Sequence, residues 1–468
     1  MAQGRLLFAL LVLTPLNFGL AQADDAATAF FSESDSPLFI QDSGLLLDSA
    51  PPEIIGPDTD ADPVDTRFEA LEKDLKALKA SLEKKDAPKP ATPPAVVYPT
   101  VKVTGFFQAD AGWLTQDSAS RQQFGDIQDN RAFRRTRLAA VGKVAENVSY
   151  MLEMDFAFNG RPSFMDVWMD IANMIPVGTV RIGQWRQPFG LNELTSVKEL
   201  TFLERPSMFG MSPFRQIGVG FHDVSGDENV TWAASVFGSA TDAFGNSIGD
   251  RGYGAAARLT KVLMEDQCSD FLVHSGVGYS YVANPNKTIE YRNVPEFGGA
   301  LAVPGTIPFF VDTLPIPADH ANLLNGELAG TWGPLHAQSE LRYALVDTKN
   351  GGTLVFPSAY AQLGWILTGE HRPYNKQSAA LGRIKPRSVL GVKCGGSGAW
   401  ELAIRYSWID LNQGTVTGGE LKNTAYGVNW YLNDYTKIQF NYINADLNRA
   451  PVGNSDTHIF AMRAQLDF

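Results

Sequence analysis

The chain has 468 residues, 44% hydrophobic and 19% charged, with a formal net charge of −12. No nucleic-acid partner is expected, and the two cysteines, Cys268 and Cys394, are too few for a disulfide scaffold, with no spacing that supports a bridge or a metal site. Eleven acidic residues and no Lys or Arg lie between Asp24 and Asp65, so the acidity belongs to an N-terminal segment and says little about what the main domain binds.

Residues 1–23 read as a secretory signal, with Arg5, the apolar run Leu6 to Leu13 and the small-residue site Ala21-Gln22-Ala23. The run falls short of the roughly 20 apolar residues a membrane helix needs, so the alternative to a signal is a buried helix. Residues 24–63, acidic and rich in Ser and Pro, are expected to form a disordered lead. Over 64–84, Val64, Phe68, Leu71, Leu75, Leu78 and Leu82 alternate in steps of four and three, which predicts a short coiled coil. A single amphipathic helix is the competing reading. Residues 85–96, with Pro88, Pro90, Pro93 and Pro94, predict a semi-rigid linker.

From 97 to 468 the dominant signal is period-two alternation. Tyr150, Leu152, Met154 and Phe156 oppose Ser149, Glu153 and Asp155; Trp400, Leu402, Ile404 and Tyr406 oppose Glu401, Arg405 and Ser407. Ile438, Phe440 and Tyr442 oppose Lys437, Gln439 and Asn441, and the closing stretch sets Phe460, Met462, Ala464, Leu466 and Phe468 against Arg463, Gln465 and Asp467. Apolar faces repeatedly set against charged ones suit a barrel with lipid outside and water inside, whereas a soluble sandwich would need a second sheet over each apolar face. Short turns at 145–147, 226–229, 333–334 and 433–434 fall between longer loops. The prediction is all-β: an antiparallel transmembrane barrel of about 16 strands, uncertain by two, preceded by a short coiled-coil helix.

No catalytic constellation emerges. The histidines show no metal-ligand spacing, Gly395-Gly396-Ser397-Gly398 lacks the Lys of a phosphate loop, and there is no Gly-x-Ser-x-Gly elbow. No cofactor and no enzyme activity are expected. Two basic segments stand out instead. Arg131 to Lys143 contains Arg134, Arg135 and Arg137 with no acid; His371 to Lys393 contains Arg383, Lys385 and Arg387, again with none. The second lies on the short-turn side, so it either hangs free as a solvated basic turn or folds into the lumen, where its charges would concentrate anions. The loop 187–214, dense in Phe, Leu and Met, is expected to fold inward and narrow a pore.

Phe133-Arg134-Arg135, Gly183-Gln184-Trp185-Arg186-Gln187-Pro188-Phe189-Gly190-Leu191, Leu203-Glu204-Arg205-Pro206, Leu367 to Tyr374, Gly398 to Leu402 and Asn429-Trp430-Tyr431 together resemble the phosphate-selective porin O and P family. The resemblance implies a homotrimeric sixteen-stranded channel in outer-membrane lipid, constricted by inward loops and lined by basic residues. By motif position Arg134 and Arg135 would line the pore, and Asp166 would be a lumen carboxylate near the constriction. Two departures stand out. Glu193 occupies the place where phosphate-selective members carry a lysine, and the fifth long loop offers only Arg292 in place of an arginine ladder. The expectation is passive diffusion of small hydrophilic solutes, with modest preference for small anions and weak phosphate specificity. The pore residues are then Arg134, Arg135, Arg137, Arg186, Arg292, Arg383, Lys385 and Arg387, countered by the constriction acids Asp166 and Glu193. Two alternatives remain: a structural protein tethered to the cell wall through the coil, or a channel for another small polar solute.

Overall fold

The computed structural model of the protein describes residues 64–84, 97–157, 160–176, 178–246, 252–298, 307–391 and 395–468. The expected signal, lead and linker, together with Cys394, lie outside the described residues. Helix α1 (Val64–Lys84) covers the heptad stretch and belongs to a unit of its own, 33–98. Leu71, Leu75 and Leu78 are exposed on it.

The other unit is a closed barrel. Among the described residues its sixteen strands are β1 (Lys102–Gln116), β2 (Asn130–Ala145), β3 (Val148–Asp155), β4 (Ser163–Ile175), β5 (Gly178–Arg186), β6 (Arg215–Val224), β7 (Val230–Gly238), β8 (Tyr253–Asp266), β9 (Phe271–Ala283), β10 (Ile316–Trp332), β11 (Leu335–Thr348), β12 (Thr353–Ile366), β13 (Ala399–Gln413), β14 (Val416–Asn433), β15 (Thr436–Arg449) and β16 (Gly453–Asp467). Each pairs antiparallel with its chain neighbour, and β1 pairs with β16 from Phe106↔Asp467 to Gln116↔Thr457. Closure leaves no open sheet edge, which a hydrocarbon solvent demands because it offers backbone groups no partners.

The alternation holds. Glu401, Arg405 and Arg463 are 0%, 2% and 0% exposed inside the barrel, whereas Tyr406, Phe440 and Phe460 lie on the outer surface. Trp400 is half-buried there, stacked on Trp430 at 4.9 Å between ring centroids. A one-residue slip would exchange these two sets, so burial of the charged set fixes the register.

The asymmetry of connections holds only in part. One end carries the tight turns near 146–147, 225–229, 333–334 and 434–435, and the other carries long loops after β1, β5, β7 and β9. Beyond β10, however, the connections at that second end shrink to 349–352, Gly414-Thr415 and 450–452. The later strands are longer, 18 residues in β14 against 8 in β3, and so absorb chain that the first half spends in loops. Gly414, at φ 60°, takes the left-handed conformation such a tight reversal needs.

Over their described residues three connections fold into the lumen: 187–214, 284–298 with 307–315 and, from the short-turn end, 367–391 with 395–398. Phe202, Leu203 and Met211 of the first and Phe297, Phe310 and Val311 of the second join one apolar cluster with Ile409, Leu421, Ile443, Leu447 and Ile459 of the wall. The inner face of β15 therefore changes character along its length. Lys437, Gln439 and Asn441 are followed, on the same face, by Ile443, Ala445 and Leu447. Toward the long-loop end, the side of the barrel formed by β10–β16 is closed by a hydrophobic core rather than lined for water.

Candidate functional site

The loop 187–214 packs inside the barrel, and its attachment occupies most of the charged side chains of the inner face. It is irregular backbone buried at membrane depth, so each N–H and C=O needs a partner inside the protein. Its short helix α3 (Leu191–Leu194; a further helix, α2, spans Ser118–Phe124) donates its first amides, those of Leu191 and Asn192, to the Glu340 carboxylate at 3.1 and 2.8 Å. Gly190 and Gly278 permit this approach: a Cβ on Gly190 would meet Glu340 Oε2 at 2.6 Å, and one on Gly278 would meet the Phe189 carbonyl oxygen at 1.9 Å.

Basic side chains satisfy the carbonyls of the loop. Arg186 Nη1 donates to Glu193 O and Thr195 O at 3.0 and 2.8 Å, and Arg205 donates to Thr195 O at 2.8 Å. Lys437 reaches Leu200 O at 3.1 Å, Arg405 reaches Glu204 O at 3.0 Å, and Arg342 reaches Met208 O at 3.2 Å. Arg372 and Arg463 donate to Glu199 O and Leu203 O. A buried carbonyl without a donor costs about 1–3 kcal/mol, so these cations hold the loop in one geometry.

Arg134, Arg135 and Arg137 turn out to be ion-paired by sequence-distant acids. Arg134 and Arg135 both grip Glu204, each with a closest contact of 2.9 Å, and Arg463 joins them at 2.7 Å while also pairing with Asp110 across the β1–β16 seam. Burial alone would push the Glu204 carboxyl up, but Arg134, Arg135 and Arg463 overcome that and hold it well below the usual carboxylate range. Arg137 is bound by Asp155 at 2.9 Å and Glu153 at 3.4 Å. The absence of acids from residues 131–143 did not survive folding.

The remaining candidates separate. Arg383 is bound by Glu199 at 2.7 Å and by Asp467, and thus ties the connection 367–398 to the constriction loop and the last strand. Lys385 and Arg387 of the same connection are exposed, and among the described residues no carboxylate lies within ion-pairing distance of either side chain, although the Arg387 amide donates to the Glu370 carboxylate at 3.1 Å. Arg292 is half-exposed beside Glu290 at 3.3 Å and lies over the Phe309 ring. Asp166 faces the lumen with both oxygens held by Arg215 at 2.9 and 3.2 Å. Glu193 is 1% exposed and accepts from the Phe214 amide at 2.8 Å. Burial raises its carboxyl to about 7, against the opposing pull of Arg342 and Arg205. It packs inside the loop, so the expected carboxylate facing the pore at this position is not found.

Opposite the apolar side, a cavity of about 170 Å³ opens along the inner wall of β4–β8. Asp166, Trp168, Arg181, Trp185, Arg186 and Gln377 contribute to its lining. Arg181 lies 3.9 Å over the Trp168 ring and is clamped by Asp170 at 2.7 and 2.6 Å. The sequence reading missed this group. Its signal was the alternation Asp166, Trp168, Asp170 on one face of β4, facing Arg181 on β5.

A closed barrel with an apolar outer belt, charged inner face and a loop folded into its waist defines a channel of the outer-membrane type. The chain belongs to the family described as phosphate-selective porin O and P, whose model matches residues 101–468. It is an outer-membrane porin. It is 25% identical to Porin O of Pseudomonas aeruginosa over 397 residues, 76% of this chain and 85% of that one. An uncharacterised protein of Caulobacter vibrioides is 27% identical over 360 residues, 72% of this chain and 68% of the other. A solved outer-membrane protein of Vibrio cholerae, OmpT, aligns with a TM-score of 0.48 at 11% identity, covering 79% of this chain and 99% of that one.

Proposed function

We propose that this porin passes small hydrophilic solutes by diffusion, with a modest preference for anions and no tight phosphate site. Arg186 carries this reading: it lines the cavity, and no carboxylate lies within ion-pairing distance of it among the described residues, whereas Arg134, Arg135, Arg137, Arg181 and Arg215 each sit in a salt bridge. A cation with no carboxylate in direct contact, in a narrow low-dielectric passage, raises local anion concentration. Lys385 and Arg387 add exposed positive charge at the periplasmic end. Against a phosphate site stand the burial of Glu193 in place of a lysine and the pairing of Arg292 with Glu290. Reversal potentials of the purified protein in planar bilayers across a KCl gradient test the preference: chloride selectivity is expected, and cation selectivity refutes it.

We further propose a homotrimer joined in part through α1, supported by the exposed leucine stripe Leu71, Leu75 and Leu78 at heptad spacing.

A further inference from the structure

We propose that the cavity along β4–β8 is a binding site for small organic carboxylates with a flat apolar face, of the size of an aromatic monoacid, and that it prefers them to inorganic phosphate. The inference rests on the anion reading above and adds a solute class to it.

Arg186 supplies the anion-binding edge. Its Nη1 donates to Glu193 O and Thr195 O, which fixes the plane of the guanidinium against the constriction loop. Among the described residues Nε and Nη2 have no protein acceptor, and these two nitrogens form the edge that meets a carboxylate bidentately. The nearby acids do not compete for it: both oxygens of Asp166 are held by Arg215, and both of Asp170 by Arg181. The site therefore offers a guanidinium edge with no carboxylate in direct contact, on a wall whose other guanidiniums are salt-bridged.

The rest of the lining selects against a small, strongly hydrated ion. Trp168 and Trp185 both contribute to it, together with Pro188 and Leu194. Gly220 keeps the space in front of the second indole open, since a Cβ there would come within 3.1 Å of Trp185 Cζ2. Phosphate entering such a space would lose water on several sides beside the lining carboxylates Asp166 and Asp223, and the other guanidiniums there, Arg181 and Arg258, are already taken by Asp170 and Glu327. A planar carboxylate loses water only at its head, which Arg186 replaces, while its ring gains from contact with the indoles.

The experiment compares block of KCl current by sodium benzoate, sodium acetate and inorganic phosphate in bilayers containing the full-length protein. Benzoate should reach half-block at a concentration at least about tenfold below the other two. Arg186→Gln should abolish block by both carboxylates. Trp185→Leu or Trp168→Leu should raise the half-blocking concentration of benzoate about threefold to tenfold, the worth of one aromatic contact, and leave that of acetate unchanged. Equal block by all three ions in the wild-type channel, a comparison that needs no variant, overturns the proposal. So does a benzoate block that survives loss of both indoles. Reversal potential measured without blocker keeps the two readings apart: chloride preference with equal block sinks the solute class alone, whereas cation preference removes the anion reading beneath it.

Discussion

Replacing Glu204 by Gln should make the channel both wider and more anion-selective. The carboxylate receives Arg134 at 2.9 Å, Arg135 at 2.9 Å and Arg463 at 2.7 Å. With Asp110, which pairs only with Arg463 in this group, the cluster carries one net positive charge; the substitution raises it to two. Arg135 and Arg463 are almost fully buried, and removing one partner of a buried ion pair costs about 3–5 kcal/mol because the other charge is left without compensation. The guanidiniums can escape that penalty by admitting water, which displaces the segment around Glu204 from the wall. Only Glu204, not the carbonyl contacts from Arg186 or Arg342, is touched, so the loop should loosen at one end rather than unfold. Single-channel conductance and reversal potential in dilute KCl are the readouts, since at about 10 mM salt the screening length reaches roughly 30 Å and the added charge acts across the lumen. Unchanged conductance and selectivity would mean that Glu204 does not hold the loop, and the account of the lumen arginines as its anchors would fail.

Glu193 gives a pH prediction. Its pKa in the fold, about 7, lies above the ordinary value of 4.5, so the native state holds the proton more tightly. Stability should fall as pH rises from about 4.5 to 7 and level off above, by an amount on the order of 3 kcal/mol; Glu193→Gln should flatten thermal unfolding across that window, and an unchanged slope would refute it. Glu193→Lys should disrupt the loop rather than create a phosphate site, because it sets a buried ammonium near Arg342 and Arg205; phosphate block of chloride current that strengthens with single-channel conductance unchanged would show otherwise. In a background of Cys268→Ser and Cys394→Ser, a cysteine at Thr231 should react with a charged thiol reagent and lower current, whereas one at Leu447, within the apolar cluster, should not; reaction at both would place the water path elsewhere. Leu71→Ser with Leu75→Ser should weaken the oligomer in cross-linking and on unheated gels, and an oligomer of wild-type heat resistance would remove α1 from the interface.

The barrel was legible because its signal is local. Alternation at period two assigns Glu401, Arg405 and Arg463 inward from neighbouring residues alone, and a lipid solvent leaves little freedom to contradict it. The lumen was less legible, for two physical reasons. Ion pairing there is a matter of long-range proximity: Arg135 meets Glu204 only because a loop turns inward, so the acid-free stretch around Arg135 misrepresented its surroundings. The inner face of β15 also changes from Asn441 to Ile443 without breaking the alternation, and nothing local distinguishes an apolar residue facing lipid from one facing a packed loop. Arg186 was named from the sequence, but its standing apart from the other arginines could be read only once their partners were in place.

That distinction governs how basic residues in such a lumen should be counted. A loop of irregular backbone folded into a barrel presents carbonyls that no water reaches, and cations on the facing strands are the donors that satisfy them. Arg342, Arg405, Arg463 and Lys437 all perform this task for 187–214, and Arg372 does so from the periplasmic connection. The number of lumen arginines therefore measures first how much loop has been drawn inward. Selectivity depends on the residue left after these contacts and after the acids Glu204, Asp155, Asp170 and Asp166 have taken their partners. Here that residue is small: the one surplus charge of the Arg134–Arg135–Arg463 cluster and the free edge of Arg186 in the lumen, with Lys385 and Arg387 at one mouth. A channel so arranged can be crowded with positive charge in sequence and still discriminate weakly between ions of opposite sign, while its aromatic wall discriminates between solutes of the same sign.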